Sequence, residues 1–371
     1  MAENQKSVLI AGGGTGGHLF PGIATAQAFK ARNPNNNILF VSAGKPLEKT
    51  VLAKAGFQHK TVTAEGIKRR GLKNQLISVL KIPKGVFESV RIIKNFNPDI
   101  IVGVGGYSAG PVVIGAWLLG IKIVLHEQNI LPGITNRILS YFADQIYISF
   151  KNTGKNGLKP FPANPNKICY TGNPVREEIL AAKKQKCEKS KAFNVLIIGG
   201  SQGAHSINMA VAEALGHIKK KEKYFFTHQT GSQDIEMVKN AYAEHGISCT
   251  VRPFFDDMAE QYHKADLMIC RAGATTVAEV TAIGKSVIFI PYPFAADNHQ
   301  VLNAQILEHE GAAEMILQKN LTGEILAKRI EHYAKNPDLL KIMAEQAENF
   351  GRPDAADVIV DNCYSLMDTV V

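Results

Sequence analysis

The chain has 371 residues, 45% apolar and 20% charged, with 42 Lys or Arg against 33 Asp or Glu and a formal charge of +9. That length predicts two domains, each long enough to bury a core, and the composition excludes a low-complexity or disordered chain. Five cysteines (Cys169, Cys187, Cys249, Cys270, Cys363) without a C-x-x-C pair point to reduced thiols, not to a disulfide framework or a zinc site.

The opening "MAENQKSVLIAGGG" carries an apolar run too short for a signal peptide. A short apolar run, then glycines, then a helical stretch recurs along the chain. "SVLIAGGG" precedes a helix expected near Pro21 to Arg32, "NILFVSAG" precedes "PLEKTVLAKAG", and "DIIVGVGG" precedes "GPVVIGAWLLG". The apolar run from Ala109 to Ile121 falls short of the roughly 20 residues that span a bilayer and reads as a buried helix leading into "KIVLHE". These features predict a cytoplasmic protein, or one peripheral on the cytoplasmic face of the membrane.

After a Pro-, Asn- and Lys-rich stretch (151–167) the pattern restarts with "FNVLIIGGSQG", "YFFTHQTG", "CTVRPFF", "DLMICRAG" and "KSVIFIPYP", each leading to a helix. Strands alternating with helices predict two doubly wound α/β domains with parallel sheets, at 1–176 and 177–349. A last helix within 350–371 is expected to return to the first domain.

Three glycine loops follow expected strands: Gly12 to His18, Gly103 to Gly110 and Gly199 to His205. Glycine allows close backbone approach, and a helix N-terminus offers unpaired amides and a positive dipole end, which suits a diphosphate. The plainer reading is tight packing of helix on strand. Gly12, Gly14 and Gly17 match the G-x-G-x-x-G spacing, but a dinucleotide site also needs an acid at the end of the second strand. "FVSAG" (Val41 to Gly44) supplies none, which argues against a nicotinamide oxidoreductase. "GTGGH" also lacks the G-K-[ST] of a P-loop.

Further polar groups stand at strand ends. In "RAGATTVAEV", Ala274, Thr275 and Thr276 open a helix, Val277 and Ala278 follow, and Glu279 sits one turn on, where a carboxylate can take ribose hydroxyls or simply face solvent. In "DNHQ", Asp297 to Gln300 can hold sugar hydroxyls or cap a helix. "LHEQN" ends a strand, with His126 either in a cleft or as a bonded core histidine. Between Gly66 and Asn97 lie eight basic residues (Lys68, Arg69, Arg70, Lys73, Lys81, Lys84, Arg91, Lys94) and one acid, Glu88. That segment suits a phosphate-bearing partner, an anionic membrane or a plain solvated face. No nucleic-acid-binding motif accompanies it.

The motifs "GGGTGGHLFPGIA", "GVGGYSAGPVVIGAW", "LHEQN…PGITN", "GNPVR", "GGSQGA", "RAGATTVAE" and "DNHQVLNA" resemble, in this order, those of the MurG glycosyltransferase family. The resemblance implies a GT-B fold, two Rossmann-like domains facing a central cleft. It implies inverting transfer of N-acetylglucosamine from UDP-GlcNAc to the muramoyl C4 hydroxyl of lipid I, giving lipid II. Another GT-B nucleotide-sugar enzyme, a lipid glycosyltransferase or a UDP-GlcNAc epimerase, is the alternative. By the same resemblance, Phe255 stands where backbone holds uracil, so that its side chain matters little, and Glu279 would hold the ribose. Ser201 with the amides of Ala274 to Thr276 would hold the donor diphosphate. Asn129, Gln300 and His299 would hold the sugar hydroxyls, Thr15, Gly16 and Gly17 would line the cleft, and Arg176 would reach the nucleotide.

An inverting transfer needs a base, and His18 is the candidate because imidazole titrates near neutrality. With no D-x-D motif before a sugar site, no essential metal is expected. The basic segment from Lys68 to Lys94, interleaved with apolar residues, is expected to dock on anionic lipid.

Overall fold

The computed structural model describes residues 4–66, 80–154, 160–161, 164–183 and 192–368. The chain divides into two compact units, Met1–Arg176 with Asp354–Val371, and Glu177–Pro353.

The first unit runs β1 (Ser7–Ala11), α1 (Gly16–Arg32), β2 (Asn37–Ser42), α2 (Pro46–Lys54), β3 (Gln58–Thr61), α3 (Ile82–Phe96), β4 (Ile100–Gly103), α4 (Ala109–Leu118), β5 (Lys122–Glu127), α5 (Ile134–Leu139), β6 (Gln145–Ile148) and β7 (Ile168–Tyr170). Its seven strands lie parallel in the order β3-β2-β1-β4-β5-β6-β7. Side chains alternate along β1, so Val8 and Ile10 enter one core with Phe29 and Phe40, while Leu9 and Ala11 enter another with Val112 and Val113.

The second unit runs α6 (Glu177–Ala182), β8 (Phe193–Ile198), α7 (His205–His217), β9 (Tyr224–Gln229), α8 (Ile235–His245), β10 (Ser248–Arg252), α9 (Met258–Lys264), β11 (Leu267–Cys270), α10 (Ala274–Ile283), β12 (Val287–Phe289), α11 (His299–His309), β13 (Glu314–Met315), α12 (Gly323–Lys335) and α13 (Pro337–Phe350). Its strand order is β10-β9-β8-β11-β12-β13, again all parallel. The last helix, α14 (Ala355–Asp368), packs on α1 of the first unit. Ile359, Val360, Cys363 and Tyr364 complete that core, Asn36 donates to the Tyr364 hydroxyl at 2.8 Å, and Arg32 pairs with Asp361 at 3.0 Å.

In each unit the strand order reverses once, between β1 and β4 and between β8 and β11. Open α/β sheets bind ligands at that switch point, outside the carboxyl ends of the strands. The glycine loops after β1 and β4 flank the first switch point. The loops after β8 and β11 flank the second.

Some local expectations change. Helix α1 starts at Gly16, not near Pro21, because the Thr15 carbonyl already accepts the amides of His18 and Leu19. Pro21 then lies inside the helix and forgoes one backbone bond. The run from Ala109 is buried on one side only: Trp117 and Leu118 are more than half exposed at its end. Strand β3 gave no apolar alternation because it is "QHKT", at the edge of its sheet. Lys68, Arg69, Arg70 and Lys73 lie outside the described residues.

Glycine is required where loop meets loop. A Cβ on Gly203 (φ +78°) would run into the Thr230 carbonyl, whereas one on Gly246 (φ +63°) would meet nothing within 4 Å. Gly246→Ala should therefore cost about 1–2 kcal/mol, the left-handed penalty alone. Gly203→Ala should cost at least about 3 kcal/mol, because the clash adds to that penalty. Urea unfolding of the two variants against the parent checks the difference; equal costs would refute it.

Candidate functional site

At the first switch point the two glycine loops pack on each other. A Cβ on Gly12 would come within 2.5 Å of the Gly105 carbonyl, and one on Gly106 within 2.6 Å of the Gly13 carbonyl. Much of the glycine content here therefore serves loop-on-loop contact. Thr15, the N-cap of α1, is exposed and extended, and its side chain makes no capping bond. A Cβ on Gly17 would meet the Thr15 hydroxyl at 3.6 Å, and one on Gly16 would run into the Phe20 ring.

His18 is the third residue of α1 and half-buried. Its Nδ1 lies 3.4 Å from the Thr15 hydroxyl, and its other edge lies against Gly105, where a Cβ would meet Cδ2 at 2.9 Å. The Asn136 amide flanks the same glycine, 3.5 Å from that Cβ position. Arg176 stacks on the Phe20 ring, its guanidinium carbon 4.2 Å from the ring centroid. Thr15, Gly16, Gly17, His18 and Arg176 thus gather around the start of α1.

The β5 end behaves differently. His126 is 1% exposed. Its Nδ1 accepts from Gln128 at 3.1 Å, so Nε2 carries the proton, facing the Gly172 carbonyl at 3.2 Å. Burial pushes its pKa down to about 4. It is the bonded core histidine of the two readings. Glu127 is also buried, and burial raises its carboxyl above the ordinary range. One oxygen accepts the Asn129 amide at 3.0 Å, and the other accepts Gly133 N and Asn136 Nδ2, each at 2.9 Å. Glu127 therefore fixes Asn129 and Asn136 in place.

At the second switch point the loop after β8 is open: nothing lies within 4 Å of a Cβ on Gly200, and Ser201 is exposed. Gln229, at the end of β9, donates to the Gly200 carbonyl at 2.9 Å and accepts the Phe255 amide at 2.9 Å. It joins the Ser201 loop to Phe255. The Phe255 ring is 2% exposed with the Arg252 guanidinium over it, so its side chain is fixed by packing and its identity matters for the fold.

Helix α10 starts after Gly273 without a side-chain cap, and so does α7 after Ala204. Ala274, Thr275 and Val277 are buried, and Thr276 and Ala278 are half-buried. Arg271 stands between these helix starts. It donates to Ser206 in the first turn of α7 at 2.9 Å, to the Ile290 and Pro291 carbonyls, and lies over the Tyr292 ring. Burial lowers it to about 10, so it stays a cation at neutral pH, and among the described residues no carboxylate pairs with it. Two helix N-termini and an uncompensated guanidinium make a seat for an anion.

Glu279 is 4% exposed, not a surface glutamate, and the Tyr262 hydroxyl donates to it at 2.8 Å. Gln300 Oε1 accepts the Tyr292 amide at 2.9 Å, so the amide nitrogen is the group Gln300 offers. His299 is the first residue of α11. Asp297 and Asn298 are left-handed (φ +52° and +54°), and Asn298 caps α11 without a side-chain bond.

Sequence reasoning missed Glu48, Asn136, Gln229 and Tyr262. Glu48, Gln229 and Tyr262 act through partners 17 to 34 residues away, and Asn136 through Glu127 across the loop after β5, so local pattern carried no signal beyond Glu48 as a helix-start acid. Among the described residues no group of His, Cys, Asp and Glu could hold a metal ion.

Two Rossmann-like units, each with a polar crevice at its switch point, define a GT-B-type glycosyltransferase architecture. Comparison with known proteins agrees. The model of the glycosyltransferase family 28 N-terminal domain matches residues 8–148, and that of the C-terminal domain matches 194–359. The chain is 45% identical to the UDP-N-acetylglucosamine–N-acetylmuramyl-(pentapeptide) pyrophosphoryl-undecaprenol N-acetylglucosamine transferase of Syntrophus aciditrophicus, over 97% of this chain and 98% of that one. It is 32% identical to the crystal structure of Acinetobacter baumannii MurG, with a TM-score of 0.75 over 97% and 99% of the chains. A putative UDP-N-acetylglucosamine 2-epimerase from Listeria monocytogenes shares the fold, with 14% identity and a TM-score of 0.70 over 99% and 98%. The chain belongs to glycosyltransferase family 28 and, within it, to the MurG family of N-acetylglucosamine transferases.

The buried histidines set an acid limit. His228, at about 3, is held neutral like His126 by burial, its Nε2 3.0 Å from Asn208 Oδ1. Above pH 6.5 both are neutral, folded or unfolded. Below it the unfolded chain takes the protons first, so stability present above 6.5 is lost toward the folded values. From pH 6.5 to 5.0 each histidine should remove about 2 kcal/mol. Urea unfolding at the two pH values should show a shallower fall for His228→Gln than for the parent. An identical fall would rule out this origin.

Proposed function

We propose that the chain transfers N-acetylglucosamine from UDP-N-acetylglucosamine to the muramoyl C4 hydroxyl of undecaprenyl-pyrophosphoryl-N-acetylmuramyl-pentapeptide, with inversion. The observation that carries this reading is 45% identity to a transferase of that name along 97% of the chain. Supporting it, the second unit sets the Arg271 guanidinium beside two helix N-termini, a grouping that suits a diphosphate.

In this reading Ser201, the amides of Ala274, Thr275 and Thr276, and Arg271 hold the diphosphate, with Val277 and Ala278 continuing the wall. The buried, Tyr262-oriented Glu279 takes the ribose, and Phe255 backbone the uracil. Asn129, Gln300 and His299 serve the sugar hydroxyls, Thr15, Gly16 and Gly17 line the wall beside the donor, and Arg176 reaches the nucleotide or its phosphates. His18 is the base. In the tautomer this role requires, Nδ1 carries the proton and faces the Thr15 hydroxyl, and Nε2 takes the acceptor proton. The acceptor oxygen then bonds the anomeric carbon as the bond to the diphosphate oxygen breaks and UDP leaves with the electron pair.

Labelled UDP-N-acetylglucosamine with a short-chain lipid acceptor should give a disaccharide product. No product, or a 2-epimer in its place, would overturn the reading. His18→Ala should lower kcat by at least about tenfold with the donor KM little changed. Glu279→Ala should raise the donor KM; an unchanged donor KM would remove Glu279 from the ribose.

The acceptor's lipid also asks for a membrane-facing surface. Among the described residues no helix is long and apolar enough to cross a membrane. Helix α3 carries Lys84, Arg91 and Lys94, with Phe87 71% exposed and Leu80 beside it 70% exposed. We take this face, with Lys68, Arg69, Arg70 and Lys73, as the docking surface for anionic lipid. The protein should float with anionic but not zwitterionic vesicles. Charge reversal at Lys68, Arg69 and Arg70 should abolish flotation, and persistence of binding would exclude the segment.

A further inference from the structure

The glycine loop after β1 holds an anion of the protein's own. Glu48, third residue of α2, is 1% exposed. Its Oε2 accepts the Lys45 amide at 2.7 Å and the Ser42 hydroxyl at 2.6 Å. Its Oε1 accepts the Gly14 amide at 2.5 Å. The loop is wrapped around the carboxylate so closely that a Cβ on Gly13 (φ +145°) would stand 2.6 Å from Oε1. Since Ser42 gives its one proton to Glu48, His59 Nε2 must be the donor to Ser42, at 2.8 Å. The Lys45 ammonium reaches the Gly14 carbonyl at 3.3 Å and ties the loop from its other side.

A glutamate at the third position of a helix commonly caps the preceding amide. That role explains the Lys45 bond and uses one oxygen. It does not explain a second oxygen on an amide 34 residues away in sequence, inside a loop built to present amides to phosphate.

We propose that Glu48 is a positioning residue. Its carboxylate occupies the apex of the first glycine loop, excludes phosphate from the Gly14 amide, and thereby sets the start of α1 on which His18 stands. A second anion at Gly14 would face a buried like charge and find its donor taken. A substrate anion is left the Thr15 end of the loop, where the Thr15 side chain makes no capping bond and His18 stands close by. The charge matters as well as the shape. Glutamine cannot accept from Gly14 on one side and from Lys45 on the other, because one of its two atoms is a donor. The kinetic part of this inference rests on the proposed transfer; the phosphate part does not.

Two measurements test it. In the transfer assay Glu48→Gln should lower kcat/KM for the lipid acceptor by at least about tenfold, with the donor KM within about twofold of the parent. In 15N-glycine-labelled protein, inorganic phosphate should shift the Gly14 amide resonance of Glu48→Ala and leave it unmoved in the parent. Unaltered acceptor kinetics in Glu48→Gln would overturn the proposal, as would a fall in kcat alone with both KM values unchanged, the mark of a lost folded fraction. A phosphate-sensitive Gly14 in the parent would overturn it too, as would an insensitive one in a folded Glu48→Ala. A parent that makes no disaccharide refutes the transfer reading, and the resonance still decides the role of Glu48.

Discussion

Both crevices depend on main chain lying directly against main chain. Gly12 on the Gly105 carbonyl, Gly106 on that of Gly13, and Gly203 on that of Thr230 are contacts that no side chain can share. In the first unit they hold together the two loops at the switch point, and in the second the loops after β8 and β9; the loops after β1 and β8 lead into the first turns of α1 and α7. Without this approach the helix starts would stand apart and their amides would converge on nothing.

On that common scaffold the loops of the two units are held by different charged side chains. The first buries carboxylates beneath its loops: Glu48 under the β1 loop, and Glu127 under the turn that leads to α5. The second brings a cation, Arg271, between two uncapped helix starts. The first unit thus satisfies its Gly14 and Gly133 amides with buried carboxylates, while the second sets a guanidinium beside helix starts that have no side-chain cap. The division follows from single residues, because the sheets and switch points are alike.

The fold class was legible because its signals are local. An apolar run, a glycine turn and a helix repeat in order, and runs such as "KIVLHE" fall on their strand without a residue's error. The polar edge strand β3 was not legible, because "QHKT" is held by pairing with β2 and not by burying a face. A residue's place in the fold was legible where a motif follows one strand, as with His18 in the first turn of α1 and Glu279 within α10. It was not where the decisive bond joins distant segments. The absence of an acid in "FVSAG" is the clearest instance. A carboxylate does stand at the end of β2, beside Ser42, but α2 delivers it and it faces the glycine loop, not a ribose. Likewise Phe255 is fixed through Gln229, and Glu279 through Tyr262, by pairings no spacing rule announces.

The return of α14 onto α1 has a consequence for how the chain is made. During synthesis from the N-terminus, the first unit emerges with Phe29 and Asn36 uncovered, and the segment that covers them follows the whole second unit in sequence. The second unit has its whole sequence between the two pieces. The core of the first unit therefore closes only after the whole second unit has been translated.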